Sequence, residues 1–452
     1  MKKISQALIS VSDKHNLKKI LTVLKKFRIK IISSGGTFKE IKKLKFKCIE
    51  VSKFTDSNEI LNGRVKTLHP KIHAGILNIR NNKKHQKQMK SNCYKNIDLV
   101  IVNFYPFKKS LTETNIHKKI IENIDIGGPA IVRGAAKNYE HVAVITNIDQ
   151  YDLLLDELNN QNGSTTLNFR KKMSEEAFIE TAYYDSHIAS YFSSLSGNVF
   201  PSKKVIAADI HEVLRYGENP HQIGAVYTSN NGLGIKQLNG KKLSYNNYND
   251  IFAALNISKT LNKNSGTVII KHSNPCGVSI NKNKIKSFKE ALQSDPLSAY
   301  GGIVSFNFKL SEKLARQLSK IFFEVIIAKG FEKKALTLLK KKRNLRVIDS
   351  SKLEYKNLIN FYSDKGKILM QDLDNKIFKS SDFKVVSKRK PNLKMLKDLL
   401  FAFNVAREVK SNAIVLTAGT RTVGIGAGQP SRLDSCEIAI KKMNNFQKNM
   451  NN

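Results

Sequence analysis

The feature that most constrains the fold of this chain is the alternation of short apolar runs with amphipathic segments over its first 150 residues. Ala7-Leu8-Ile9-Ser10-Val11 reads as a short apolar strand. Asp13 is placed to cap the helix that follows, where Leu17, Ile20, Leu21, Leu24 and Phe27 recur at helical spacing on one face. Lys30-Ile31-Ile32-Ser33 is the next strand, and Ser34-Gly35-Gly36-Thr37 turns into a helix that ends near Leu44. Leu99-Val100-Ile101-Val102-Asn103 and Val142-Ala143-Val144-Ile145 are two further buried strands. Strands alternating with helices imply a parallel sheet with helices on both faces.

Beyond this region the pattern changes. Residues 151–191 are helical in pattern, and the Ser/Gly/Pro-bearing stretch from Ser193 to Lys204 marks a boundary. The remainder is mixed α/β, with buried strands at Thr267-Val268-Ile269-Ile270 and Ala413-Ile414-Val415-Leu416. Lys333 to Arg343 reads as a solvated helix face, and the last dozen residues, polar and ending in Asn451-Asn452, as a frayed end. The expected division is 1–148, a helical connecting region 149–204, and 205–452. A length of 452 residues agrees with roughly three folding units.

Charge admits two readings. Lys and Arg number 77 against 37 Asp and Glu, a net charge of +40. Such a balance raises nucleic-acid binding as a possibility. Yet only 13 of the basic residues are arginine, and the lysines are spread along the whole chain. Nucleic-acid readers favour Arg for bidentate contacts. Abundant Lys, Asn and Ile also match A/T-rich coding, so a solvated Lys-rich surface is the reading preferred, with no nucleic-acid partner. The four cysteines, Cys48, Cys93, Cys276 and Cys436, form no CxxC pair. That pattern fits a reducing cytoplasm and argues against a disulfide framework or a Cys-based zinc site. No window approaches 18 uncharged apolar residues, so no membrane span is expected.

Several polar segments sit where chemistry can happen. Ser33-Ser34-Gly35-Gly36-Thr37 joins a strand to a helix start, where free N–H groups attract anions. Alone it is equally a plain tight turn. Asp13-Lys14 follows the first strand and so lies at the same sheet edge, where ligands of open α/β sheets gather. In Gly63-Arg64-Val65-Lys66-Thr67-Leu68-His69-Pro70, Arg64 and Lys66 point the same way if the loop is extended; a surface loop with two solvated cations is the alternative. Tyr105 follows a strand directly and either presents its phenol or packs. Asp125-Ile126-Gly127-Gly128-Pro129 and Arg133-Gly134-Ala135-Ala136-Lys137-Asn138 add an acid, a Gly-Gly turn and a lysine. Acid/base work on a phosphorylated substrate uses such groups.

In the second half, Leu214-Arg215-Tyr216-Gly217-Glu218-Asn219-Pro220-His221-Gln222 is a dense polar loop. Lys271-His272-Ser273-Asn274-Pro275-Cys276-Gly277 follows a buried strand, with His272 a candidate base and Lys271 its electrostatic partner. Gly424-Ile425-Gly426-Ala427-Gly428-Gln429 lacks the spacing of a dinucleotide fingerprint. It reads as a close backbone approach to a ligand or another chain.

In this order, from Ser10-Val11-Ser12-Asp13-Lys14 to Ser431-Arg432, the segments resemble the purine-biosynthesis family that joins phosphoribosylaminoimidazolecarboxamide (AICAR) formyltransferase to IMP cyclohydrolase. The resemblance implies an α/β chain: a methylglyoxal-synthase-like domain with a doubly wound parallel sheet, then cytidine-deaminase-like transformylase subdomains without zinc. It implies formyl transfer from 10-formyltetrahydrofolate to AICAR, then dehydrative closure of the formamido-ribotide to IMP. Ser12, Asp13, Lys14, Ser34, Gly35, Gly36, Thr37, Arg64, Val65 and Thr67 would hold the nucleotide and its phosphate. Lys66, Tyr105, Asp125, Gly127 and Lys137 would line the reacting groups, with Lys137 moving the proton. Arg215 and Tyr216 would bind AICAR, Lys271 and His272 would be the catalytic pair, and Gly301, Glu324 and Asn412 would line the pocket. No catalytic metal, a homodimer and a cytoplasmic location are implied as well. Members of that family continue past the Gly-Ala-Gly-Gln-x-Ser-Arg segment into an Asp-Ala-Phe-Phe-Pro-Phe-Arg-Asp motif that this chain lacks. The last subdomain is therefore expected to be truncated, and a cyclohydrolase carrying an inactive transformylase stands as the alternative.

Overall fold

The apolar runs of the first 150 residues become parallel strands in a computed structural model, which describes every residue except 230–231, 262–263, 355–358, 375, 377 and 448–452. The strands are β1 (Gln6–Val11), β2 (Lys30–Ser33), β3 (Ile49–Glu50), β4 (Leu99–Asn103) and β5 (Ala143–Ile145). They lie in the order β3-β2-β1-β4-β5, and every neighbouring pair is parallel. β1 is central: Ala7 stands opposite Ile31 on one side and Leu99 on the other. A strand covered on both faces carries continuous apolar residues, and Ala7, Leu8 and Ile9 are fully buried. The chain order reverses at β1, so a crevice opens outside the carboxyl ends of β1 and β4.

Helix α1 (Leu17–Lys26) buries Leu17, Ile20, Leu21 and Leu24, the stripe that its sequence spacing predicts. Its cap differs from expectation. Asn16 occupies the cap position in a left-handed conformation, while the Asp13 carboxylate turns to the backbone N–H and ring of His15. Helix α2 (Gly35–Lys43) follows β2 and begins at the first glycine of the Ser34–Thr37 segment. Helix α3 (Gly127–Lys137) precedes β5.

The chain divides into two compact units, Met1–Ala207 and Ala208–Asn452. Helices α4 (Tyr151–Asn160) and α5 (Leu167–Ser196), in the segment expected to connect, supply Tyr151, Leu154, Leu158, Met173 and Ala177 to the same core as the parallel strands. Buried Arg170 of α5 is satisfied by the carbonyls of Tyr139, Thr165 and Glu140.

In the second unit the six-stranded sheet is mixed. Its strands are β6 (Lys236–Asn239), β7 (Gly266–Lys271), β8 (Asn274–Ile280), β9 (Ile303–Phe306), β10 (Val325–Ala328) and β11 (Arg346–Asp349), in the order β6-β11-β10-β9-β7-β8. β9, β10 and β11 are parallel to one another, and the remaining pairs are antiparallel. Helix α6 (Tyr245–Thr260) packs on β7 and β9. The basic run from Lys333 is helical and amphipathic, burying Ala335 and Leu339.

The chain's end departs from expectation. Helix α7 (Arg432–Gln447) runs through much of the segment expected to fray, and Asn451-Asn452 lie outside the described residues. The reason lies in the preceding strand β12 (Thr422–Gly426). A Cβ on Gly424 would sit 2.1 Å from the Ala439 carbonyl oxygen, and one on Gly426 1.9 Å from that of Ser435. The close approach read from the Gly-rich segment is made, at Gly424 and Gly426, to this chain's own helix.

Candidate functional site

The first site begins where β1 ends. The Thr37 hydroxyl of α2 bonds both the N–H and the C=O of Val11, at 2.9 Å each. Asn103, at the end of β4, accepts from the N–H of Ser12 (2.6 Å) and Asp13 (3.0 Å) and donates to the Asp13 carbonyl (3.0 Å). These bonds hold the loop after β1 open over a cavity of about 670 Å³ outside the strand ends.

One wall of the cavity is the start of α2. A Cβ on Gly35 would lie 3.4 Å from the Lys66 ammonium, and one on Gly36 3.9 Å from that of Lys14. Two cations therefore stand over the first turn of a helix that carries no acidic residue there. Gly35 adopts φ +53°, which a residue without Cβ reaches cheaply. Ser34, at the cap position, is 3% exposed, and its hydroxyl has no hydrogen-bond partner among the described residues. Free helix N–H groups, an unengaged hydroxyl and two ammonium groups make an anion cradle.

The opposite wall is the start of α3. The Asp125 carboxylate accepts from the N–H of Gly128 (2.8 Å) and from that of Tyr105. Burial pushes its carboxyl above the ordinary carboxylate range, against the pull of those two amides and of the Lys66 charge. Thr67 lies against Gly127, where a Cβ would sit 2.7 Å from its hydroxyl. Arg64 pairs with Glu122, and both line the cavity.

The cavity gathers Ser12, Lys14, Ser34, Gly36, Thr37, Arg64, Lys66, Thr67, Tyr105, Asp125 and Gly127, with Gly35 under Lys66. Asp13 is turned away to His15, and Val65 spends its backbone on a bridge to Ile60. Lys137 stands apart from this group. It is exposed at the far end of α3, about 15 Å from Gly127 at 1.5 Å per residue, and does not line the cavity. A motif that spans a helix places its two ends apart. Glu122 and Tyr184 escaped the sequence reading. Tyr184 carries no local signal, being 59 residues from Asp125, to which it bonds.

In the second unit the predicted segments meet at one end of the mixed sheet. Ile270 pairs with Ile303, which pairs with Val325, so Lys271, Gly301 and Glu324 all lie at that end. His272 and Ser273 form the two-residue turn between β7 and β8, both left-handed at φ +53° and +58°. Asp250 of α6 stabilises this turn by accepting from the N–H of Ser273 (2.6 Å) and of His272 (3.3 Å). Lys271 donates to the Tyr300 carbonyl at 2.9 Å, beside Gly301. Asn247 of α6 donates to Glu324 (3.0 Å), and Asn246 donates to Glu218 of the Arg215-Tyr216 loop (3.3 Å). The first turns of α6 thus tie three predicted segments together. Asn412 instead donates to the carbonyls of Gln429 and Pro430. Among the described residues no group of three His, Cys, Asp or Glu is placed to hold a metal ion, and no helix is long and apolar enough to cross a membrane.

Comparison with known proteins adds to this geometry. The AICARFT/IMPCHase bienzyme family matches residues 135–442, and the MGS-like domain family matches residues 16–130. The bifunctional purine biosynthesis protein PurH of Persephonella marina is 43% identical over 451 residues, covering 98% of this chain and 87% of that protein. Proteins of the same name from Bradyrhizobium diazoefficiens and a Thermoanaerobacter species are 40% and 42% identical, covering 98% and 97% of this chain and 85% and 86% of their own lengths.

Proposed function

The chain belongs to the AICARFT/IMPCHase bienzyme family, and from that premise we propose which of its residues carry each reaction. Its activities are AICAR transformylase and IMP cyclohydrolase, the last steps of de novo IMP synthesis.

Ring closure is assigned to the 670 Å³ cavity of the first unit, a doubly wound sheet of the methylglyoxal-synthase type. The observation that carries this assignment is the pair of ammonium groups over Gly35 and Gly36, facing a half-buried carboxylate across one cavity. The phosphate of the formamido-ribotide sits on the first turn of α2, held by Lys14, the Ser34 hydroxyl and backbone N–H groups. The carboxamide and formyl groups then lie among Lys66, Tyr105, Asp125 and Gly127. The carboxamide nitrogen attacks the formyl carbon and gives up one proton, and the formyl oxygen takes a proton. The carbon–oxygen bond then breaks, and the oxygen leaves as water with the proton of the 5-nitrogen. Asp125, made more basic by burial, accepts the carboxamide proton. The Lys66 ammonium stabilises charge on the formyl oxygen and supplies its proton. Holding both groups in one crevice removes much of the entropic barrier. Lys14→Ala tests the cradle: it raises KM for the formamido-ribotide at least about tenfold with little change in kcat. An unchanged KM would move the phosphate elsewhere.

Formyl transfer is assigned to the sheet end of the second unit, whose subdomains are of the cytidine-deaminase type, with 10-formyltetrahydrofolate as cosubstrate. His272 accepts a proton from the 5-amino group of AICAR as that nitrogen attacks the formyl carbon. Lys271 stabilises the developing oxyanion, and tetrahydrofolate departs from the formyl carbon with a proton on its nitrogen. Arg215 and Tyr216 hold AICAR, and Gly301, Glu324 and Asn412 complete the pocket. The support for this reading is the bonding of α6 to the segments that carry Arg215, His272 and Glu324. The working protein is a cytoplasmic homodimer in this reading.

A further inference from the structure

Asp125 and Tyr105 reach the cavity from two different loops, one before α3 and one after β4. Beyond the bond from the Tyr105 N–H to the Asp125 carboxylate, their separation is not fixed by either sheet or helix. Both loops rest on a single side chain, Tyr184 of α5. Its hydroxyl accepts from the Asp125 N–H at 2.8 Å and donates to the Asn123 carbonyl at 3.1 Å. Its ring packs on Phe104, with centroids 5.0 Å apart, and edge-on to Phe107 at 6.3 Å. Phe104 and Phe107 flank Tyr105-Pro106. Tyr184 is 7% exposed, and with Phe107 and Ile120 it forms a small apolar cluster apart from the main core. One residue therefore fixes the carboxylate loop through its hydroxyl and the phenol loop through its ring.

The hydroxyl is not needed for packing, because a phenylalanine ring fills the same space. Burial pushes the phenol up to about 12, so it keeps its proton at neutral pH and its direction of donation is set. We propose that Tyr184 is a positioning residue for ring closure, setting the Asp125 carboxylate against Tyr105 and the reacting carboxamide. This inference rests on the reading of Asp125 as a reacting group.

The test is Tyr184→Phe in the full chain. Tyr191→Phe is the control: it lies on the same helix, its hydroxyl bonds His117 at 2.8 Å, and its ring packs edge-on to Phe107 at 6.0 Å. Tyr184→Phe lowers kcat for ring closure about 10- to 100-fold, with KM within about twofold. Formyl transfer by the same variant stays at the wild-type rate, as does ring closure in Tyr191→Phe. A wild-type kcat in Tyr184→Phe overturns the inference. So does an equal loss in Tyr191→Phe, or a joint fall of both activities, since either marks a purely structural role. Asp125→Asn, assayed alongside, separates the two levels. If it closes the ring normally, the reading of the site fails and the inference with it. If it is inactive while Tyr184→Phe is normal, only the inference fails.

Discussion

In the first unit, parallel strands send their carboxyl ends to one edge, and the loops that follow meet there. The second unit has a mixed sheet, where three neighbouring strands are parallel and the remaining pairs run in opposite directions. Its proposed site residues arrive on a hairpin turn, on the residues before β9, and on the residue before β10. The turn leaves the carboxyl end of β7 while the other two segments enter the amino ends of β9 and β10, and α6 bonds the turn, Glu324 and the Arg215-Tyr216 loop by side chains. The first site is made by topology and trimmed by Asn103, Thr37 and Tyr184. The second depends on an added framework, so single contacts outside its reacting groups should matter more.

The largest expected effect tests the first site's own chemistry. Asp125→Asn should lower kcat for ring closure by about 10³-fold, within the range for loss of a general base. It should not destabilise the fold. Asn can still accept from the Gly128 N–H, and the half-buried carboxyl has a folded pKa above its unfolded value. For a carboxyl raised in this way, stability falls as pH rises through the folded value, so at neutral pH its charge is a cost. Calorimetry should give a melting temperature equal to wild type or higher. A clear drop would show that Asp125 holds the fold together.

A second change tests the second unit's framework. Asp295 is 3% exposed and pairs with Lys442 of α7 at 2.8 Å. Burial pushes its carboxyl up, but Lys442 and the Ser298 N–H together outweigh burial and hold it below the ordinary range. A depressed carboxyl stabilises above its unfolded pKa, near 4, and that contribution is lost as pH falls through the folded value. Lys442→Met should cost about 2 kcal/mol at pH 7, discounted from the loss of a fully buried pair because Lys442 is one-third exposed. Denaturant melts across pH 3 to 7 should also show a flatter acid dependence than wild type. An unchanged acid limb would mean that the pair contributes nothing to stability.

The smallest effect sharpens the comparison most. Asp250→Ala should lower formyl-transfer kcat about tenfold, because His272 and Ser273 then hold left-handed conformations without their clamp. Adding Ser273→Gly should restore much of the loss, since glycine takes that φ without strain and suits the second position of such a turn. Ring closure should be untouched throughout. If Ser273→Gly gives no recovery, Asp250 acts otherwise than through the turn.

Much of the first site was legible because strand ends and glycine turns are local signals. The Ser34–Thr37 segment and Lys14 each sit beside an element that the pattern reveals, while Lys66 and Asp125 stand in polar, glycine-bearing segments. Residues that act from far along the chain were not legible. Tyr184 and Asp250 are ordinary helix residues until the fold brings them to a loop. Lys137 shows a related limit: a helix lies between it and Asp125, and sequence proximity hides the length of α3. The glycines at 424 and 426 signalled close approach correctly, but a sequence does not say to what.

The most direct test of the account is a crossed pair of assays. Lys66→Ala and His272→Ala are each assayed for formamido-ribotide to IMP and for AICAR plus 10-formyltetrahydrofolate to the formamido-ribotide. The account predicts reciprocal loss: Lys66→Ala loses ring closure by about 10³-fold and keeps formyl transfer, and His272→Ala does the reverse. Loss of both activities in either variant, or of neither, would contradict two separately built sites on one chain.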